Sequence, residues 1–293
     1  MSECRLCGQK GVSEKFTSNG CDIGQCLNCH IYQIIGGVES ELIYEEDYFN
    51  NRKYTDVNAL NKEHSRRANH FLLRYLHKES RVLDMGCASG DFVEYAKEYF
   101  DIRGCDLAET AIKVGQKRFP HLADKLYVQS ATQSNDSETE IYDAVCMWDV
   151  IEHIPYPMKA VEEAVSKIKN RGYLFISTPY PDALFARITG KYWPFMTPPE
   201  HVCFFGKKGL EYIAEQNDEL SLIDLRTRGK WANMGFIMYK AKRVLPWLPN
   251  CLLKLFRTGI LQKLSVYVPT KDIVYAVYEK NKRIREVESF VKT

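Results

Sequence analysis

Short apolar segments alternate with amphipathic segments over most of the chain. The strand-like segments are residues 81–86, 102–106, 125–130, 142–148, 172–178, 221–227 and 272–279. Apolar residues recur at helical spacing in 91–100, 109–118, 157–169 and near 206–216. Strands that alternate with helices predict an α/β fold in which helices cover both faces of a parallel sheet.

Two C-x-x-C pairs precede this region. Cys4 and Cys7 form the first pair, Cys26 and Cys29 form the second, and 18 residues separate them. Two such pairs can complete a tetrahedral zinc shell, and zinc binding would supply much of the folding energy of so short a segment. A redox C-x-x-C normally accompanies a βαβ pattern, which neither pair has. We predict a structural zinc ribbon over 1–40, with Cys21 and His30 as spare ligands.

Between the cysteine pairs and the first strand, residues 41–80 are rich in tyrosine and charge. The segment DVNALNKEHSRRANHFLLRYLHK has apolar residues at helical spacing, which predicts a helical bridge. The predicted domains are therefore a zinc ribbon at 1–40, a helical bridge at 41–80 and an α/β domain at 81–293.

Composition narrows the function classes. The chain of 293 residues carries a net charge of +2, which argues against a nucleic-acid partner. We find neither a stretch of about 18 apolar residues nor an apolar signal-peptide core. Ten cysteines without an export signal favour a reducing compartment. We therefore expect a cytoplasmic protein.

The segment VLDMGCASGDF at 82–92 predicts a strand, a glycine-bearing turn and a helix start. Gly86 and Gly90 let a backbone approach a ligand closely. Asp106 follows twenty residues after Gly86 and ends the second strand, where an acidic side chain can accept both hydroxyls of a ribose. The glycine pattern alone is weak evidence, because Ala88 breaks the G-x-G-x-x-G spacing.

VLDMGCASGDF, GCDLAETAI and YDAVCMWDVIEHIPYP together resemble consecutive motifs of class I S-adenosylmethionine-dependent methyltransferases, over about residues 81–226. The resemblance implies a Rossmann-like sheet of seven strands and S-adenosylmethionine as cofactor. It places Asp84, Gly86, Cys87 and Gly90 at the methionine end. It also places Asp106 at the ribose, Leu107 and Ala131 near the adenine, and Asp149 beneath the methyl group.

The flanking segments resemble a narrower group. The cysteine pairs, YEEDYF, STPYP and PPEHVCFFGKKGL are similar to a zinc-ribbon subfamily of these enzymes, many of which modify sugars of surface glycans. This resemblance implies a sugar hydroxyl, or a ring carbon, as acceptor. The sugar would be nucleotide-linked or part of a surface glycan.

Four side chains are candidates for the chemistry: Asp149, Glu152, His153 and His201. A hydroxyl acceptor benefits from a general base or from a metal ion that stabilises the alkoxide. Similar E-V-I-E-H runs bind a divalent ion in ubiquinone-pathway and small-RNA methyltransferases, which would place Mg²⁺ at Asp149, Glu152 and His153. Asp149 is shorter than the glutamate of those runs, so we expect a histidine base, His153 or His201, oriented by Asp149 or Glu152.

Two rival functions stay open. An RNA methyltransferase can also join a zinc ribbon to this fold, although the near-neutral charge argues against RNA. A scaffold that binds cofactor without catalysis is the second rival, and the intact Gly86, Gly90 and Asp106 argue against it.

A basic segment at 235–264 contains no acidic residue. It predicts two short amphipathic helices, split by prolines at 246 and 249. They would make at most a weak peripheral membrane contact, or form a lid or a dimer face.

Overall fold

The computed structural model describes residues 2–36, 57–132, 139, 141–245, 247, 249 and 264–281. It contains two sheets. The N-terminal sheet has five strands, and the large sheet has seven. The predicted α/β fold with a seven-stranded Rossmann-like sheet is confirmed.

The strands of the N-terminal sheet are β1 (Ser2–Glu3), β2 (Lys10–Ser18), β3 (Cys21–Cys26), β4 (Tyr32–Ile34) and β10 (Cys203–Phe204). Those of the large sheet are β5 (Arg81–Met85), β6 (Asp101–Asp106), β7 (Leu126–Val128), β8 (Tyr142–Trp148), β9 (Ile168–Pro179), β11 (Leu220–Asn233) and β12 (Ser265–Lys280). The N-terminal sheet has the order β1-β2-β3-β4-β10, and the large sheet has the order β11-β12-β9-β8-β5-β6-β7.

The α-helices are α1 (Val57–Arg66), α2 (Asp91–Ala96), α3 (Glu109–Arg118), α4 (Pro157–Lys167), α5 (Leu184–Thr189), α6 (Lys207–Glu215) and α7 (Met234–Val244). The segment that begins with α1 continues as a π-helix at Arg67–Leu72 and ends with one α-helical turn at Leu73–Tyr75. A short 3₁₀ turn, Ile151–His153, follows β8.

Strands β5 to β9 run parallel, whereas β12 is antiparallel to both β9 and β11. Helices join β5 to β6, β6 to β7 and β8 to β9, as the alternating pattern predicted. The last two strands depart from a fully parallel sheet, because β12 enters between β9 and β11 in the opposite direction. The carboxyl ends of β5, β6 and β8 meet at one edge, where ligands bind in open α/β sheets.

Each face of the large sheet is covered. The segment that begins with α1 packs on one face, where Phe71 stacks on Tyr275 with ring centroids 4.2 Å apart. On the other face, α4 and α6 share a hydrophobic core with the N-terminal sheet, to which Cys29 and Ile31 contribute fully buried side chains. The N-terminal sheet therefore shares one hydrophobic core with the helices on this face of the large sheet.

The strand β10 extends the N-terminal sheet. Cys203 pairs with Gln33 and Phe204 pairs with Tyr32, and the Ile34 N–H donates to the Val202 carbonyl at 3.0 Å. A piece of chain from the predicted α/β domain thus completes a sheet in the predicted 1–40 domain. The boundaries at 40 and 80 stay a prediction, and residues 37–56 lie outside the described part.

The basic segment is only partly described. Helix α7 covers the first predicted amphipathic helix, whereas residues 250–263 lie outside the described residues. In the part of the chain that the structure covers, none of the helices is long and apolar enough to cross a membrane.

Candidate active site

The turn after β5 is tightly packed. Gly86 has φ +83°, and a Cβ added there would lie 2.5 Å from Val150 Cγ2. Gly90 has φ +75°, and a Cβ on it would lie 2.8 Å from a methyl group of Leu126. Both positions need glycine because the backbone is left-handed and space is lacking. Cys87 is buried between these two glycines.

Asp106 fastens this turn to the end of β6. Its Oδ2 accepts a hydrogen bond from the Ala88 N–H at 2.8 Å, and its Oδ1 accepts from the Ala108 N–H at 2.9 Å. Asp106 is half-buried, Leu107 beside it is 64% exposed, and Ala131 is half-buried. These placements suit the predicted ribose and adenine contacts.

A cavity of about 240 Å³ lies between α1 and the turn after β5. Its lining includes Arg67, Asp84, Gly86 and Trp148. Burial raises the pKa of Asp84 to about 7, against the lowering effect of the Arg67 charge. Among the described residues, Arg67 Nε and Trp148 Nε1 are buried donors without a hydrogen-bond partner. The cavity therefore offers an acid and free donors, which fit the ammonium and carboxylate groups of an amino acid.

Sequence reasoning missed Arg67 and Trp148. Arg67 sits in the segment that was predicted only as a helical bridge, and Trp148 ends an apolar strand. The available signal was an arginine pair, Arg66 and Arg67, within a helix that leads into the first strand of the fold.

Asp149 lies at the end of β8 and is held as an ion. Arg67 Nη2 donates to its Oδ2 at 2.6 Å, and the Ser177 hydroxyl donates to its Oδ1 at 3.0 Å. Burial acts to raise the pKa of Asp149, but the charges of Arg67 and Lys230 outweigh it and keep the pKa below its usual value. An ionised, paired carboxylate is a weak proton acceptor.

Three other predicted residues converge beside it. Glu152, His153 and His201 each place one possible ligand atom within 4.8 Å of the others. The two imidazole rings meet edge to face, with centroids 4.8 Å apart. The Val202 N–H donates to the Glu152 carbonyl at 2.8 Å, which joins the 3₁₀ turn to the segment before β10.

Both histidines are oriented by backbone carbonyls. His153 Nδ1 lies 2.8 Å from the Glu200 carbonyl, and His201 Nδ1 lies 2.7 Å from the Phe195 carbonyl. A carbonyl oxygen can only accept, so each Nδ1 carries a hydrogen. In the neutral ring this leaves the lone pair on Nε2, where it can take a proton or bind a metal ion.

Burial favours the neutral forms of Glu152 and His153. Glu152 is 1% exposed, and burial together with the negative charge of Asp149 raises its pKa to about 8. The Thr178 hydroxyl donates to Glu152 Oε2 at 3.0 Å, whereas Oε1 finds no partner among the described residues. Burial also lowers the pKa of His153, which keeps its ring neutral near pH 7.

The predicted magnesium set was Asp149, Glu152 and His153. The structure instead groups Glu152 and His153 with His201, while Asp149 faces Arg67 and Ser177. Two imidazoles and one carboxylate suit a transition metal better than Mg²⁺, which prefers oxygen ligands. The cluster therefore fits either a histidine base or a divalent ion with nitrogen ligands.

The four cysteines of the two C-x-x-C pairs lie together in the N-terminal sheet. The Sγ atoms of Cys4 and Cys29 are 3.4 Å apart, those of Cys7 and Cys26 are 3.6 Å apart, and all four lie within 4.8 Å of one another. Sulfur ligands about 2.3 Å from a tetrahedral zinc ion stand at similar separations. Cys21 and His30 lie outside this group.

Comparison with known proteins identifies the class. A family model described as a methyltransferase domain matches residues 60–218, more than half of the chain. The chain therefore belongs to this methyltransferase family. The fold and the family together define an S-adenosylmethionine-dependent methyltransferase, and the cavity beside Asp84 and Asp106 suits that cofactor.

Similar proteins share either part of the sequence or the fold. A mitochondrial ubiquinone biosynthesis O-methyltransferase of Candida albicans is 35% identical over 103 residues, which are 33% of this chain and 32% of that protein. A ubiquinone biosynthesis O-methyltransferase of Aliivibrio fischeri is 33% identical over 101 residues, 33% of this chain and 43% of that protein. The matched segments thus span less than half of these relatives.

Two solved structures share the fold. A SAM-dependent methyltransferase from Archaeoglobus fulgidus superposes with a TM-score of 0.52 at 21% identity, covering 81% of this chain and 100% of that chain. A SAM-dependent methyltransferase from Thermotoga maritima gives a TM-score of 0.53 at 13% identity, covering 83% and 99%. At such identities the likeness concerns the fold alone.

Proposed function

We propose that this enzyme transfers a methyl group to a hydroxyl of a sugar that is nucleotide-linked or part of a surface glycan, with His153 as the general base. The observation that carries the proposal is the cluster of Glu152, His153 and His201 at the carboxyl end of β8, next to the cofactor cavity.

Oxygen as the acceptor atom has two supports. A weakly acidic hydroxyl needs a group that removes its proton, and the cluster offers one. The similar ubiquinone biosynthesis enzymes are also named as O-methyltransferases. The sugar itself rests on the resemblance of the flanking motifs to sugar-modifying enzymes, and methylation at a ring carbon is the alternative within the same class.

The chain's own residues bind and orient the cofactor. Asp84 would face its ammonium group, Arg67 and Trp148 its carboxylate, and Asp106 its ribose hydroxyls. When bound there, S-adenosylmethionine supplies the methyl group. Asp149 stays ionised between Arg67 and Ser177, which fixes the floor of the acceptor site.

His153 is the better base of the two histidines. It is half-buried and can meet an acceptor, whereas His201 is buried behind it. The Glu200 carbonyl fixes its Nδ1–H, so its Nε2 can receive the proton. In this scheme His201 and the protonated Glu152 orient the imidazole of His153.

The N-terminal sheet is best explained as a zinc ribbon. We propose one zinc ion held by Cys4, Cys7, Cys26 and Cys29, since their sulfur atoms already stand at the separation that a tetrahedral ion requires. Four thiolates leave no open position, so this ion would be structural.

The function is tested with purified protein and isotope-labelled cofactor. Nucleotide sugars, oligosaccharides and RNA are offered, and products are analysed by mass spectrometry. We expect a label on a sugar hydroxyl and a kcat lowered by roughly 10²–10⁴-fold in His153→Ala with cofactor affinity retained. His77→Ala, an exposed histidine outside the cluster, serves as control and keeps full activity. Labelled RNA, or full activity in both His153→Ala and His201→Ala, would contradict the proposal.

The same assay separates a base from a metal site. For a base, a chelator that leaves the cysteine-bound zinc in place does not abolish turnover. For a metal site, chelation stops the reaction, added Mn²⁺ or Mg²⁺ restores it, and Glu152→Ala is as damaging as His153→Ala.

A further inference from the structure

A second cavity, of about 270 Å³, lies under helix α7. Residues from α5, α7, β11, β12 and the segment between α5 and β10 form its walls, and they include Phe185, Phe195, Ile237, Ala241 and Val268. Apart from Lys230, Thr270 and Asp272, the lining is apolar. The Asp272 carboxylate already accepts a hydrogen bond from Trp193 Nε1 at 3.0 Å and another from the Thr270 hydroxyl. The cavity therefore suits an apolar ligand.

This cavity adjoins the acceptor site through two residues. Phe195 lines the cavity with its side chain, while its carbonyl accepts the hydrogen bond from His201. Lys230 also lines it, with Nζ 5.4 Å from the ring centroid of Phe195. The charge of Lys230 acts on Asp149 and on Glu152. A molecule bound in the cavity would thus contact Phe195, whose carbonyl orients His201, and Lys230, whose charge acts on Asp149 and Glu152.

The elements that wall the cavity also present apolar side chains to solvent. On α5, Leu184 and Ile188 flank Phe185 and are 72% and 74% exposed. Beyond α7, Trp247 is 76% exposed. Large exposed apolar side chains around an apolar cavity mark a surface that meets a hydrophobic phase. A small water-soluble sugar nucleotide would not need an apolar cavity or exposed apolar side chains around it.

We propose that the cavity under α7 binds the hydrocarbon chain of a lipid-linked acceptor, with the acceptor's sugar placed at His153. The inference rests on the proposed sugar hydroxyl function and narrows its substrate class. A cavity of about 150 Å³ holds a benzene molecule, so the present cavity has room for about ten carbon atoms. A longer chain would continue past the exposed side chains of α5 into the bilayer that carries it.

Binding of n-hexyl, n-octyl and n-decyl β-D-glucopyranoside, each below its micellar concentration, tests the cavity by calorimetry. Glucose stands in for the unidentified sugar. We expect the affinity to rise about threefold to fourfold per added methylene up to about ten carbons, the increment for burying a methylene group. If the affinity of the wild-type protein does not depend on the length of the alkyl chain, the proposal is overturned.

A cavity-filling variant locates the binding. Ala241→Phe places a ring in the cavity and should weaken n-decyl glucoside binding at least tenfold and remove its dependence on chain length. Lys242→Phe adds the same ring at the next, exposed position of α7 and should leave binding unchanged. Unchanged cofactor affinity shows that each variant is folded. Equal binding in wild type and Ala241→Phe would show that the hydrocarbon chain binds outside this cavity and would refute the proposal.

Transfer assays separate this inference from the function on which it rests. Chain-length-dependent binding, together with transfer that favours lipid-linked sugars over nucleotide sugars, supports both. If nucleotide sugars are methylated as efficiently as lipid-linked sugars, the proposed sugar function stands and the proposed lipid-linked acceptor is refuted. If binding depends on chain length but no sugar is methylated, the cavity binds a hydrocarbon chain and the proposed sugar function is refuted.

Discussion

At Asp84, one titratable side chain combines burial with a position in the wall of the cofactor cavity. Asp84 is 3% exposed and lines the cofactor cavity with Arg67. Burial raises its pKa to about 7, so the neutral form is favoured in the ligand-free fold. The raised pKa means that Asp84 lowers the stability of the ligand-free fold as pH rises from about 4 to about 7. A cationic group beside the carboxylate would offset this effect.

Cofactor binding should consequently depend on the ionisation of Asp84. Between pH 5.5 and 7.5 we expect the dissociation constant for S-adenosylmethionine to fall as pH rises, by about tenfold between pH 6 and the plateau above pH 7. Asp84→Asn should bind weakly and lose this dependence. Asp101→Asn, an exposed carboxylate at the start of β6, is the matched control. Calorimetry at several pH values decides the matter, and a pH-independent wild type would contradict it.

Strand β10 and the residue before it connect the N-terminal sheet to the cluster of Glu152, His153 and His201. Val202, directly after His201, accepts a hydrogen bond from Ile34 and donates one to the Glu152 carbonyl. The pairing of β4 with β10 therefore helps to set where His201 and Glu152 lie. A structural change in the N-terminal sheet should therefore shift the positions of His201 and Glu152 through these hydrogen bonds.

Loss of the metal from the cysteine cluster should thus reduce catalysis more than cofactor binding. We expect about one zinc per chain, and we expect Cys7→Ser to lose it, with kcat reduced roughly 10²-fold and cofactor affinity nearly retained. Elemental analysis, calorimetry and single-turnover rates provide the measurements. Cys21→Ser, outside the cluster, should keep both metal and rate. A metal-free protein with an ordered N-terminal sheet and full activity would refute this coupling.

The molecule as a whole has a small net charge of +2, but basic residues are concentrated in one segment of its sequence. The basic segment carries Lys240, Lys242, Arg243, Lys254, Arg257 and Lys263. Lys242 is exposed, whereas the side chains of the other five lie outside the described part. We propose that this segment, together with Trp247 and the exposed side chains of α5, makes a weak peripheral contact with an anionic bilayer.

We expect attachment to anionic vesicles that is weak and salt-sensitive, because charges act over only about 8 Å at physiological ionic strength. Flotation with anionic and neutral vesicles, at low and high salt, measures it. Trp247→Ala should reduce the bound fraction, whereas Leu27→Ala, an exposed apolar side chain of the N-terminal sheet, should not. Attachment to neutral vesicles that survives high salt would show that apolar insertion dominates.

Local sequence patterns determined most of the secondary structure of this protein and several of its candidate site residues. The seven strands, the helix at 109–118, the glycine turn after β5 and the four cysteines follow from periodicity and spacing over a few residues, which the chain carries whatever its tertiary contacts. Asp106 followed from its position at a strand end. These features can be predicted because strand and helix periods and short metal-ligand spacings are local properties.

Tertiary structure decided which distant side chains meet. Arg67 reaches Asp149, so the acid predicted to join a metal site is instead paired with a guanidinium group. His201 joins Glu152 and His153 because β10 completes the N-terminal sheet, and β12 enters the large sheet antiparallel between β9 and β11. No local pattern contains these pairings, since each depends on how packed elements from separate parts of the chain bury their apolar faces together.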